Sequence, residues 1–172
     1  PRRGRKFSDA IFKQLGKAEI ADQLVGAAWL KAQPWVDAAH IGLFGWSYGG
    51  YQTLMLLAKA GDRFAAGVAV APVTDWSLYD TYYTERYLGA DTSAASYAVS
   101  SLLADARTLS RPLMIVHGLA DDNVVAAHSL RLSTALLAAG RPHTVLPLSG
   151  VTHMTSQQDV AANLAKLEVQ FI

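Results

Sequence analysis

Cysteine is absent from this chain. Disulfides, thiolate nucleophiles and cysteine-held zinc are therefore excluded. No apolar run approaches the ~20 residues that a membrane-crossing helix needs. Internal repeats and low-complexity tracts are missing too, and no pair of histidines or carboxylates has metal-ligand spacing, so neither a metal nor another cofactor is expected. Charge is scarce: 17% of the 172 residues are charged against 51% hydrophobic, which is the composition of one globular domain with a real core. The net charge of +1 gives no overall pull towards nucleic acid or acidic lipid. Four cations, Arg2, Arg3, Arg5 and Lys6, crowd the start. They read as a solvated loop rather than a nucleic-acid contact. The first residue is Pro1, not Met, so any signal peptide is expected to lie outside the sequence and the N-terminus is read as non-native.

What is present alternates between two periods. Residues 18–33 place Ile20, Leu24, Ala27, Ala28 and Leu30 mostly on one helical face, and Pro34 ends the run. Short apolar stretches at 40–44, 64–73, 112–118 and 143–149 read as buried strands. Helices are predicted at 50–60, closed by Gly61, at 124–139, ended by Gly140, and at 155–170. The segment 76–103, rich in Trp, Tyr and Ser, is the least regular and predicts short helices. Near-continuous apolar strands alternating with helices predict a parallel sheet covered on both faces. Ligand sites in such sheets lie at the carboxyl ends of the strands. That places Ser47, segment 72–83, Asp121–Asn123 and His153 at the chemically relevant edge.

The run Gly45-Trp46-Ser47-Tyr48-Gly49 fits G-x-S-x-G between a predicted strand and a predicted helix. This is the context of a nucleophile elbow, a strained turn that lifts a serine hydroxyl above the sheet. Its glycines are expected where strand and helix backbones approach too closely for a Cβ. The backbone N–H of Tyr48, opening the helix, is placed to donate to an oxyanion. A serine needs a histidine to take its proton and an acid to orient that histidine. The α/β-hydrolase order is Ser, then acid, then His. Asp121 and Asp122 follow the third strand and His153 follows the fourth, in that order. Order alone does not choose between the two aspartates. His40, His117, His128 and His143 read as packing or surface residues.

Five blocks in sequence, "GWSYGGY", "VAPVTDW", "YDTYYTERYLG", "HGLADDNVV" and "THMT", resemble the prolyl oligopeptidase family of serine peptidases, in its dipeptidyl-peptidase branch. The likeness runs from about Arg2 to the C-terminus. It implies an α/β-hydrolase fold, a triad of Ser47, Asp121 and His153, and release of N-terminal Xaa-Pro dipeptides through an acyl-enzyme. It also implies a proline pocket walled by Tyr48, Val73, Trp76, Tyr79, Tyr83 and Val124. Asn123 would bind the substrate carbonyl before the proline. Peptides with proline or alanine at the second position are the implied partners. An extracytoplasmic location is implied as well, and a homodimer of the full-length protein is compatible with it.

The sequence departs from that pattern in three ways. Family members carry an N-terminal β-propeller whose paired glutamates hold the substrate's ammonium group, and nothing here corresponds to it. No tyrosine precedes Tyr48 to complete the oxyanion hole as one does in the family. The first strands of the usual sheet are missing. The 172 residues are thus expected to be the C-terminal portion of one α/β-hydrolase domain. Three other readings remain beside the leading one: an oligopeptidase or acyl-peptide hydrolase, an esterase, and a non-catalytic interaction protein that keeps the triad by descent.

Overall fold

The computed structural model describes residues 3–172; Arg2 of the basic start lies outside them. Four strands, β1 (Leu43–Trp46), β2 (Gly67–Val70), β3 (Leu113–Gly118) and β4 (Thr144–Leu148), form a parallel sheet in the order β1-β2-β3-β4. The helices are α1 (Arg5–Ser8), α2 (Ala18–Lys31), α3 (Tyr48–Ala60), α4 (Thr81–Leu88), α5 (Ala95–Ser100), α6 (Ala127–Ala138) and α7 (Gln158–Phe171). In register, Gly45 pairs with Ala69 and Ala69 with Ile115, so side chains at matching levels share a face. Ala69, Leu113 and Ile115 enter the larger core with Leu54 and Leu57 of α3 and Leu132 and Leu136 of α6. Val68, Val70 and Val116 point the other way, against Leu164 and Phe171 of α7. Both faces of the sheet are covered, as the apolar strands predict.

Because every strand runs the same way, Trp46, Val70, Gly118 and Leu148 end along one edge. This is the parallel, helix-flanked sheet that the family resemblance implies. β4 tolerates Pro147 because among the described residues it pairs only with β3, so no second neighbour needs the missing N–H.

The boundaries differ from the sequence reading for local reasons. Residues 37–40 form a turn in which Asp37 accepts from the backbone N–H of Ala39 and meets His40 Nδ1 at 2.7 Å, so the strand starts at Leu43 and runs on to Trp46. β2 stops at Val70 rather than 73, since Ala71 has φ 43° and turns the chain out of the sheet. Gly61 leads α3 into a 3₁₀ turn, Gly61–Arg63, with φ −59° instead of a left-handed cap. α6 begins at Ala127, since the preceding Asn123 and Val124 N–H groups donate to Asp121. The segment 76–103 does form short helices: a 3₁₀ turn at Trp76–Leu78, then α4 and α5. The basic start coils into α1 instead of a loop, yet Arg5 and its partner Asp9 remain exposed.

Candidate active site

Ser47 lies between β1 and α3 with φ 58° and ψ −117°, a conformation that a residue with a side chain rarely adopts. Two backbone hydrogen bonds hold it there: its N–H donates to Val70 O at 2.8 Å, and its carbonyl accepts from Tyr51 N–H at 3.0 Å. Such strain costs on the order of 1–3 kcal/mol and persists only where surrounding contacts over-determine it. Gly45 explains the tightness. A Cβ on it would stand 2.0 Å from the carbonyl oxygen of Gly49 and 2.7 Å from Thr53 Oγ1. The same test at Gly49 meets nothing within 4 Å, which corrects the expectation that both glycines answer a steric need. Gly49 supplies the backbone that Gly45 must avoid. Tyr48 is the first residue of α3, so its N–H has no partner within the helix and lies at the positive end of the helix dipole.

Asp121 and His153 meet across the strand ends. His153 Nδ1 stands 2.8 Å from Asp121 Oδ2, and the aspartate side chain is wholly buried. Asp121 Oδ1 accepts from the N–H groups of Asn123 at 3.0 Å and Val124 at 2.9 Å. A carboxylate can only accept, so Nδ1 of His153 carries the proton and Nε2 is left as the basic nitrogen. Asp122 is exposed, and so the structure distinguishes the two aspartates that chain order left equal. The His153 loop is stitched to its neighbours. Leu119 N–H donates to Leu148 O, Ala120 N–H to Val151 O, and the Trp46 indole to the carbonyl of His153 itself at 3.0 Å. Gly118 lets that loop pass, because a Cβ there would stand 2.3 Å from Val151 O. No hydrogen bond joins Ser47 Oγ to His153 in this structure.

The predicted pocket residues form one aromatic cluster. Trp76 stacks on Tyr83 with centroids 5.8 Å apart at 15°, and meets Tyr79 edge-on at 5.8 Å. Tyr48 lies 5.8 Å from Trp76, and Tyr79 and Tyr83 are 5.5 Å apart. Val73, Trp76 and Val124 are fully buried, so they belong to the core as much as to any wall, while Tyr48, Tyr79 and Tyr83 are only partly covered. Tyr79 donates its hydroxyl to Asn123 Oδ1 at 2.9 Å, which leaves the Asn123 NH₂ as a donor. Tyr48 donates to the carboxylate of Glu19 on α2. Burial, then that carboxylate, raises the Tyr48 phenol far above its ordinary range; burial and the neighbouring Tyr87 push Tyr83 up to about 12. These phenols stay neutral at any physiological pH. Among the described residues, no three His, Asp or Glu side chains converge to hold a metal, and no helix is long and apolar enough to cross a membrane.

The sequence matches the prolyl oligopeptidase family over residues 1–172. The chain belongs to this family. It is 42% identical to mouse dipeptidyl peptidase 8 over 146 residues, which cover 82% of the chain and 16% of that protein. It is 40% identical to bovine dipeptidyl peptidase 4 over 141 residues, or 80% of the chain and 18% of that protein. Among solved structures, dipeptidyl peptidase 4 of Porphyromonas gingivalis superposes with a TM-score of 0.92 at 39% identity, covering 98% of the chain and 24% of that one. The chain therefore spans less than a fifth of these curated relatives' length.

Within this member of the prolyl oligopeptidase family, several side chains at the site escaped the sequence reading. Trp46 fixes the His153 carbonyl, Glu19 tethers Tyr48, and His117 and Ser129 lie beneath Asp121. Each contact joins residues far apart in sequence or buried under a loop. The one local signal was His117, since a histidine in an otherwise apolar strand must find polar partners. His40 and His143 do sit at the surface or half-buried, bonded to Asp37 and Ser133. His128 is wholly buried and accepts from Thr74 N–H at 3.2 Å. Burial pushes its pKa down to about 4.

Proposed function

We propose that this chain is the C-terminal part of the catalytic domain of a serine peptidase that releases Xaa-Pro dipeptides from peptide N-termini. The strained Ser47, set at the same sheet edge as His153 and the buried Asp121 that holds it, is the observation that carries this reading. Ser47 Oγ attacks the scissile carbonyl while His153 Nε2 takes its proton, and Asp121 stabilises the imidazolium that forms. The Tyr48 N–H donates to the oxyanion of the tetrahedral intermediate. Collapse expels the amine, which receives the proton from His153, and leaves the acyl group on Ser47. Water then repeats the sequence through the same base and frees the acid.

The substrate preference rests on the aromatic cluster. A proline ring is flat and apolar, and Tyr48, Tyr79 and Tyr83 over the buried Val73, Trp76 and Val124 offer contact area without asking for a hydrogen bond. Alanine fits the same walls with less contact. Asn123, its carbonyl occupied by Tyr79, directs its NH₂ to the carbonyl preceding the proline. Treatment of the intact protein with a dipeptidyl organophosphonate, followed by peptide mass analysis, is the test. A single adduct on Ser47 that is lost in Ser47→Ala, with hydrolysis of Gly-Pro anilides, is expected. An unlabelled Ser47 in folded protein would show that the triad is retained without activity.

A further inference from the structure

His117 is the least exposed histidine that the mechanism above does not use, apart from His128, and it lies against the acid. Its Nε2 is 2.7 Å from the carbonyl oxygen of Val124 and 3.6 Å from Asp121 Oδ2. Its Nδ1 is 2.6 Å from Ser129 Oγ. These contacts allow one tautomer. Val124 O can only accept, so the proton sits on Nε2; the bare Nδ1 then accepts from the Ser129 hydroxyl. Burial lowers the pKa of His117, which favours this neutral form. A positive His117 beside Oδ2 would compete with His153 for the carboxylate.

The Val124 carbonyl closes the turn whose Asn123 and Val124 N–H groups grip Asp121 Oδ1. Holding that carbonyl holds the Val124 end of the turn, and the Val124 N–H passes the restraint on to the Asp121 carboxylate. The geometry points to His117, its tautomer set by Ser129, as the positioning residue that aims Asp121 Oδ2 at His153. This inference rests on the triad assigned above.

The test uses the intact protein and two readouts. The first is the strongly deshielded proton resonance of a histidine Nδ1–H held by a carboxylate, which needs no substrate. His117→Leu should shift or broaden it, leaving Val124 O unpaired; Ser129→Ala should do so more weakly. His117→Gln, which restores an N–H donor near the Nε2 position, should return it. The second is steady-state kinetics on a Gly-Pro anilide. An unpaired buried carbonyl beside the acid should lower kcat about 10-fold in His117→Leu with KM within about twofold, and His117→Gln should recover most of it. If His117→Leu does not fold, Ser129→Ala decides by the resonance. A resonance absent from the wild type, or unmoved in folded variants, overturns the inference. A wild-type protein that shows the resonance and its predicted shifts but cleaves no Xaa-Pro substrate would instead overturn the proposed function and leave the positioning role standing.

Discussion

Replacing Gly45 by alanine should break the elbow, whereas the same change at Gly49 should leave it intact. A Cβ on Gly45 would lie 2.0 Å from the oxygen and 2.2 Å from the carbon of the Gly49 carbonyl. Ordinary contact needs about 3.5 Å, so β1 and α3 must part by about 1.5 Å. The obstacle is backbone in the first turn of a helix and cannot rotate aside. Overpacking of this kind costs towards the upper end of ~1–3 kcal/mol. For a chain of this size that is a fall in melting temperature of about 6–12 °C. Gly49 sits inside α3 with open space where its Cβ would point. Gly49→Ala, in the first turn of α3, should be neutral or gain at most the ~0.5–1 kcal/mol that alanine holds over glycine in a helix interior. Thermal unfolding followed by circular dichroism reads both changes, and organophosphonate labelling of Ser47 reads the site. Displacing Ser47 by an ångström should slow labelling about 100-fold in Gly45→Ala, with Gly49→Ala within about threefold of wild type. A Gly45→Ala protein that melts with the wild type, or a Gly49→Ala protein that falls as far as Gly45→Ala, would refute the reasoning.

Three further outcomes are expected. Asp121→Asn keeps an acceptor for the two backbone N–H groups but presents an amide to His153, forcing the wrong tautomer; kcat should fall by about 10⁴, while exposed Asp122→Asn should stay within about threefold. Equal losses in steady-state assays would contradict the assignment. Tyr83→Ala removes the ring stacked on Trp76, so KM for Xaa-Pro substrates should rise and the preference for proline over alanine should narrow together; unchanged selectivity would place the pocket elsewhere. His128 titrates near pH 6.5 when unfolded but only at about 4 when folded, so its neutral form contributes stability that is full above pH 6.5 and lost as pH falls towards 4. The loss is at most roughly 3 kcal/mol, and His128→Asn, which keeps an acceptor for Thr74 N–H without titrating, should flatten urea-unfolding stability across that window.

The sheet, its helices and the order of Ser47, Asp121 and His153 were legible in the sequence because each is a local signal. Apolar runs have strand length, Gly and Pro mark their ends, and parallel topology then sends Ser47, Asp121 and His153 to the same edge. Strand ends were less legible, since they depend on events such as the left-handed Ala71 and the Asp37–His40 turn, which apolar character does not report. Only the folded chain distinguishes Asp121 from Asp122 by physical means: adjacent residues of one type differ in burial and direction, and the carboxylate that points inward is the one gripped by two N–H groups. Likewise only the fold separates Gly45 from Gly49, alike in the motif yet opposite in their need for a missing Cβ. The contacts of Glu19 with Tyr48, Trp46 with His153, and His117 with Val124 bridge separate loops and elements. No period or spacing encodes such pairings. They exist because close packing at the strand ends leaves each buried polar group only the partners that the fold brings to it.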